Sequence, residues 1–157
     1  MFSVPFTLRA GASGLVLASI LPATATAQTV TLTGTVVNAC VLTLTTPGVI
    51  VAASSGTELS TQQVGGVAAL LNVVATGTSP TITFSAAGLT GPSAGSSTAE
   101  LAYSSSGGAS RSYSGAGYVY AMSGLLDAIS VNGRATNASG FQSGVYSLST
   151  TVTCSQP

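Results

Sequence analysis

The stretch that decides the fold is residues 29–45, which read TVTLTGTVVNACVLTLT. Up to residue 36 the odd positions are all Thr, and the even positions are Val30, Leu32, Gly34 and Val36. This alternation is typical of a β-strand with one buried face and one solvated face. Seventeen extended residues would span about 55 Å, so we expect a bend near Gly34 or a first half that leaves the domain.

The last patterned stretch, residues 144–154, has the same design and reads GVYSLSTTVTC. Tyr146, Leu148, Val152 and Cys154 fall on one side of the predicted strand. Between the two ends we predict further strands at Val49–Ala53, Val67–Ala75, Thr81–Ser85, Glu100–Tyr103, Tyr113–Ala121 and Ala128–Thr136. Many short strands at regular spacing indicate an all-β, single-domain antiparallel β-sandwich.

Four internal segments leave room for other structures. Val67–Ala75 fits a short helix as well as a buried strand, and its Gly flanks favour the strand. Residues 125–127 fit a helical turn, and Asn132-Gly133 fits either a hairpin turn or a bulge within a strand. Ser104–Gly117 is rich in Ser and Gly, which predicts a mobile loop.

The first 27 residues have the order of a secretory signal peptide. Arg9 precedes the apolar stretch GLVLASIL at residues 14–21, Pro22 follows, and Ala25-Thr26-Ala27 fits the cleavage site. The apolar stretch is shorter than the about 20 residues that a spanning helix needs. We therefore expect a leader at residues 1–27 and an exported domain at residues 28–157 that does not span the membrane. The alternative is an apolar helix that stays in the fold.

The chain has two cysteines, Cys40 and Cys154. An exported chain with an even number of cysteines favours a disulfide between them, joining the first strand to the last. Each cysteine also falls on the more apolar face of its predicted strand, as a buried bridge requires. Free or intermolecular thiols are the alternative.

Composition excludes several kinds of function. The chain has no His, three basic residues and three acidic ones. Without His there is no Ser-His-Asp relay and no imidazole ligand for a metal, and two bases beyond the leader are too few to neutralise nucleic acid phosphates. Glu58, Glu100 and Asp127 are far apart in sequence, so no pattern places two of them across a sugar. We expect no enzyme, no cofactor and no metal site.

Two stretches resemble known secreted β-domains. Residues 30–40, VTLTGTVVNAC, resemble the mature start of bacterial chaperone–usher pilin subunits. Residues 129–133, ISVNG, and 144–152, GVYSLSTTV, are similar to the closing strands of pilin-like and spore-coat-protein-U-like domains. The resemblance covers about a quarter of the residues after the leader.

The resemblance implies an immunoglobulin-like domain that lacks one strand, with a neighbour's N-terminal extension added in its place. Val30, Leu32 and Val36 would then fill a groove, and Gly34 would lie where space is tight. The implied partners are copies of this chain or other pilus subunits, and a periplasmic chaperone. The family's disulfide usually ties the first strand to a nearby early strand, and this chain departs from that pattern. A self-complete relative is therefore the alternative to a polymerising subunit.

We accordingly predict a structural or adhesive protein of the periplasm, cell surface or an extracellular filament, such as a fimbrial subunit assembled by β-strand addition. The alternative is a monomeric extracellular domain that binds a carbohydrate or a protein. Tyr113, Tyr118 and Tyr120 flank the Ser/Gly-rich segment and are candidates for such a binding face. Asn137-Ala138-Ser139 also fits an N-glycosylation sequon.

Overall fold

The structure is a computed structural model that describes residues 31–35 and 37–157. These residues contain β-strands and one short 3₁₀ turn at Ala94–Ser96, with no α-helix. The strands are β1 (Ala39–Thr46), β2 (Val51–Ala52), β3 (Glu58–Ser60), β4 (Ala69–Thr76), β5 (Thr81–Phe84), β6 (Gly88–Thr90), β7 (Thr98–Ser105), β8 (Ser110–Ser114), β9 (Tyr118–Ala121), β10 (Leu126–Thr136), β11 (Ser147–Ser149) and β12 (Val152–Ser155). The prediction of an all-β fold with antiparallel sheets is confirmed.

The large sheet is organised around β10, the longest strand. Residues Leu126–Val131 of β10 pair with β4 and residues Arg134–Thr136 pair with β3 along one edge, while Ile129–Thr136 pair with β7 along the other. Beyond these neighbours lie β1 next to β4, β2 next to β3 and β8 next to β7. Alternate residues of β10 are buried, so its two-residue periodicity turns one face to the core.

The second layer is a ribbon made from two parts of the chain. β5 pairs with β9 on one side and with β12 on the other, and β6 pairs with β11. Phe84 faces Val152 whereas Gly88 faces Ser149, so the three residues between Phe84 and Gly88 match two residues of the other strand. This change of register by one residue, typical of a β-bulge, divides the ribbon into two short sheets.

The core lies between the two layers. Val73 and Ile129 of the large sheet are almost fully buried against a cluster that contains Ile82 and Phe84 of β5. Burial of each such side chain stabilises the fold by about 1.5–3 kcal/mol. The Phe84 and Tyr103 rings stack with centroids 4.0 Å apart, which ties β5 to β7 across the core.

The predicted disulfide between Cys40 and Cys154 is present, with a Cα–Cα distance of 6.0 Å. It joins the first strand of the large sheet, β1, to the last strand of the second layer, β12. The two strands therefore meet side by side in different sheets, and the bond closes one side of the sandwich.

Several boundaries differ from the prediction. The first strand begins at Ala39, and residues 31–35, 37 and 38 have no regular structure. Residues 31–33 fall in a separate N-terminal unit of the chain. Val67–Ala75 contains a strand and no helix, whereas Tyr113–Ala121 and the closing stretch are each divided into two strands. Residues 125–127 form no helical turn, and Asn132 and Gly133 continue β10 in unbroken register with β7.

The prediction of a mobile loop at Ser104–Gly117 is wrong. This segment forms the hairpin of β7 and β8, closed by a turn in which the Ser105 amide donates to the Ala109 carbonyl. The turn is anchored because the Ser105 and Ser106 hydroxyls donate to the carboxylate of Asp127, at 2.5 and 2.9 Å. Ser and Gly residues therefore form an ordered turn here, because the buried carboxylate of Asp127 accepts hydrogen bonds from the two hydroxyls and from the Gly107 amide.

Candidate binding groove

An apolar groove of about 670 Å³ opens between the two layers on the side of β1. One wall comes from β1, β4 and the loop at residues 47–50, and the other comes from residues 146–152. Its lining contains no charged side chain, and the main apolar contributors are Leu42, Leu44, Ile50, Leu71, Leu148 and Val152. These side chains are only partly buried against the core, Leu42 and Leu71 on one side and Leu148 and Val152 on the other.

Both strands beside the groove have an unpaired edge. In the part of the chain that the structure describes, β1 pairs with β4 alone and β12 pairs with β5 alone. An unpaired edge presents backbone donors and acceptors that an added strand can satisfy. Leu44 keeps 58% of its surface exposed although it faces the groove. An extended apolar segment is therefore the shape and chemistry that this site fits.

The groove is closed at one end. The Cys40–Cys154 disulfide lies there, and the next inward residues on each strand are Leu42 and Val152, which line the groove. Outside the disulfide, the Asn38 side-chain amide donates to the Pro157 carbonyl at 3.1 Å. These contacts hold the start of β1 against the C-terminal tail at this end of the groove.

Gly133 of β10 lies at the floor of the groove, opposite the side chain of Leu148. A Cβ atom at this position would lie 2.5 Å from a methyl carbon of Leu148, which stands on the opposite wall. The Gly133 amide donates to the Thr61 hydroxyl at 3.1 Å, so the backbone of β10 is fixed here. The absence of a side chain at Gly133 thus leaves room for Leu148. The ambiguity of Asn132-Gly133 in the sequence concealed this role.

The residues predicted to assemble neighbouring chains are described only in part. Val30 and Val36 lie outside the described residues. Leu32 and Gly34 lie in a segment without regular structure; Leu32 is 92% exposed, and no atom lies within 4 Å of a Cβ built at Gly34.

The three tyrosines predicted to form a binding face do not share one surface. Tyr120 is buried in the core, and its hydroxyl donates to Asp127 at 2.8 Å. Tyr118 points to the same side of β9, where its ring stacks 6.1 Å from Tyr103 and lies under the Arg111 guanidinium. Tyr113 instead lies under Arg134, on the outer face of the large sheet. Two of the three rings therefore belong to the packing of the sandwich.

Asp127 is the buried carboxylate of the structure's described part. Burial would raise its pKa, but hydrogen bonds from Ser105, Tyr120, Ser106 and the Gly107 amide outweigh burial, so the pKa is lowered. Burial and the hydrogen bond to this carboxylate raise the pKa of Tyr120. This cluster could not be predicted from the sequence, because its members come from separate strands and turns.

The other carboxylates are engaged elsewhere. Glu100 accepts from Arg134 at 2.6 Å on the outer face, and this contact raises the pKa of Arg134. Glu58 accepts from the Gln63 amide at 3.3 Å. Among the described residues no three His, Cys, Asp or Glu side chains lie together as a metal site.

The sequon at Asn137 is not presented for modification. Asn137 is 3% exposed, and its amide nitrogen donates to the hydroxyls of Ser96 and Ser97, each at 3.2 Å. Its function in the fold is to hold the 3₁₀ turn against the end of β10.

Comparison of the chain with protein-family models, with curated proteins and with solved structures finds no match. A search of the described residues for a helix long and apolar enough to cross a membrane finds none.

Proposed function

We propose that this chain is an exported structural subunit that assembles by β-strand addition, with an immunoglobulin-like sandwich that accepts one strand from a neighbour. The observation that carries the proposal is the apolar groove between the unpaired edges of β1 and β12. The expected leader and the disulfide support export, because disulfides persist in oxidising compartments. The proposed role is structural and includes no catalytic step.

The occupant of the groove is residues 28–36 of a second copy. This segment alternates Thr with Val30, Leu32, Gly34 and Val36, so one of its faces is apolar. Nine extended residues span about 30 Å, and β1, which forms one wall, has eight residues. Neither the side chains of the segment nor the groove lining carries a charge, so no ionised side chain loses its hydration when they associate.

The position of Ala39 favours a second copy over the same chain. β1 begins at Ala39, beside the closed end of the groove, and Asn38 is held there by the Pro157 carbonyl. To lie along its own β1, the preceding segment would have to reverse direction within about two residues. A neighbour's segment meets no such constraint, because it is not joined to the start of this β1.

The proposal is tested by the mass of the assembled protein at increasing concentration, measured by size exclusion with light scattering. We expect polymers for the natural chain, and monomers when Leu32→Asp and Val36→Asp are combined, because these charges would be buried in the groove. The matched control combines Thr31→Asp and Thr33→Asp, on the other face of the same segment, and should still polymerise. A natural chain that stays monomeric at every concentration, or equal assembly of both variants, would contradict the proposal.

A monomeric binding domain is the second candidate. The groove volume of about 670 Å³ falls within the range of small-molecule sites, about 300–1,000 Å³. Its uncharged lining would suit an apolar ligand. A sharp monomer peak together with retention of an apolar probe, such as a fluorescent fatty acid, would favour this candidate.

A further inference from the structure

The groove begins at a covalent link between the two layers. Cys40 and Leu42 are inward neighbours on β1, and Cys154 and Val152 are their counterparts on β12. No backbone hydrogen bond joins the described residues of β1 to those of β12. Among the described residues, the direct links between the two edges are therefore side-chain links at this end, in addition to the packing of both strands against the core.

The disulfide is the strongest of the side-chain links between β1 and β12. The others are two exposed hydrogen bonds, from Asn38 to the Pro157 carbonyl and from Gln156 to the Ala39 carbonyl, at 3.1 and 3.0 Å. Exposed hydrogen bonds contribute little, because water replaces them when they break. Among the described strands, β12 pairs with β5 alone, over its four residues. Short strands with few partners open readily unless they are fastened.

We infer that the Cys40–Cys154 disulfide is a clamp that holds the edges of β1 and β12 at the spacing an added strand requires. Reduction by a dithiol transfers two electrons and two protons to the disulfide and yields two thiols, while the dithiol becomes a disulfide. The free β12 edge then moves relative to β1, and an incoming strand must order both edges as it binds. When the two edges are already held at the required spacing, less ordering is needed as the strand binds. The affinity for the strand is then higher although the contacts are the same.

This inference rests on the proposed function, since it concerns control of the same groove. It is tested by fluorescence anisotropy with a labelled peptide of residues 28–36, QTVTLTGTV. The full chain used in every sample carries Leu32→Asp and Val36→Asp, so that no neighbour's segment fills its groove. We expect the oxidised chain to bind the peptide, and the Cys40→Ala, Cys154→Ala chain to bind it about tenfold or more weakly. A second variant, Asn38→Ala with Gln156→Ala, keeps the disulfide and should bind within about threefold of the natural chain.

Hydrogen exchange measured on the same samples separates a local clamp from global unfolding. Without the disulfide the free energy of global unfolding falls, so exchange should quicken in every strand. A local clamp predicts an additional acceleration in residues 39–46 and 152–155, beyond that of β7 and β10. Equal peptide affinity with and without the disulfide overturns the clamp and leaves the proposed function intact. An equal loss of protection in all strands also overturns the clamp, because the bond would then act only on the fold as a whole. Absence of peptide binding to the oxidised chain overturns both proposals.

Discussion

Replacing Gly133 with Ala should weaken strand capture while leaving the fold stable. The new Cβ would lie 2.5 Å from a methyl carbon of Leu148, and since ordinary contact begins near 3.4 Å, that methyl must move by about 0.9 Å. The direction open to it is into the groove, which Leu148 lines. The moving atom is the end of a flexible side chain next to empty space, so unfolding free energy should change by less than about 1 kcal/mol.

The Gly133→Ala substitution should instead weaken the binding of a strand in the groove. A methyl group that intrudes into a hydrophobic site weakens the binding free energy of its ligand by about 1–3 kcal/mol. We therefore expect the peptide of residues 28–36 to bind at least about tenfold more weakly. Gly124→Ala is the matched control, since no atom lies within 4 Å of its Cβ and it lies away from the groove. Adding Leu148→Ala to Gly133→Ala removes the displaced methyl and should recover part of the affinity.

Two measurements check this prediction together, anisotropy for binding and urea denaturation for stability. Unchanged affinity in Gly133→Ala would refute the reasoning, because it would show that the occupant does not reach the wall formed by Leu148. A loss of several kcal/mol of stability would refute it in another way, because it would show that Leu148 has no room to move. Full affinity in the double variant would identify Leu148 as the whole cause.

Three further predictions concern stability. Asp127→Asn should lower the unfolding free energy by about 2–3 kcal/mol at neutral pH, because a buried acceptor of several hydrogen bonds is lost. Since folding lowers the pKa of Asp127 from 3.8, its contribution is present above that pH and is lost as pH falls through the lowered pKa, so denaturation of the two proteins should converge in acid. Removing Cys40 and Cys154 should cost about 4.8 kcal/mol, which is the chain-entropy value for a loop of this span, 114 residues, and is measurable by calorimetry. Arg134→Gln should change the midpoint of urea unfolding by an amount equivalent to less than about 1 kcal/mol, because its ion pair with Glu100 is partly exposed.

The sequence predicted best where a strand is long and buried on one face. In Ala128–Thr136 the alternation of small apolar and polar residues is local, and the strand found there, β10, extends it by two residues. The cysteine pairing was also predictable, because two cysteines permit a single intramolecular bond. In both cases the information needed lies within one short segment or in a count.

Prediction failed where a structure depends on distant partners. β3 and β6 have three residues each, too few to show a period, and they exist because β10 and β11 supply their hydrogen bonds. The turn after β7 was misjudged because its acceptor, Asp127, lies about 20 residues further along the chain. The groove was suggested by family resemblance rather than by pattern, since its walls are separated by about 100 residues of sequence.

The edges of the sandwich differ in a way that bears on assembly. The outer edge of the large sheet at β8 has five residues, an irregular register against β7, and Arg111, whose guanidinium donates to the Ser114 hydroxyl. Short, irregular and charged edges resist pairing with other chains. β1, at the opposite edge, has eight residues, no charge and no proline, and apolar side chains on both faces. A protein that must avoid all edge pairing would be expected to protect both edges. Protection of the edge at β8 together with an open groove beside β1 favours addition of a strand at β1, which is the asymmetry that directional assembly requires.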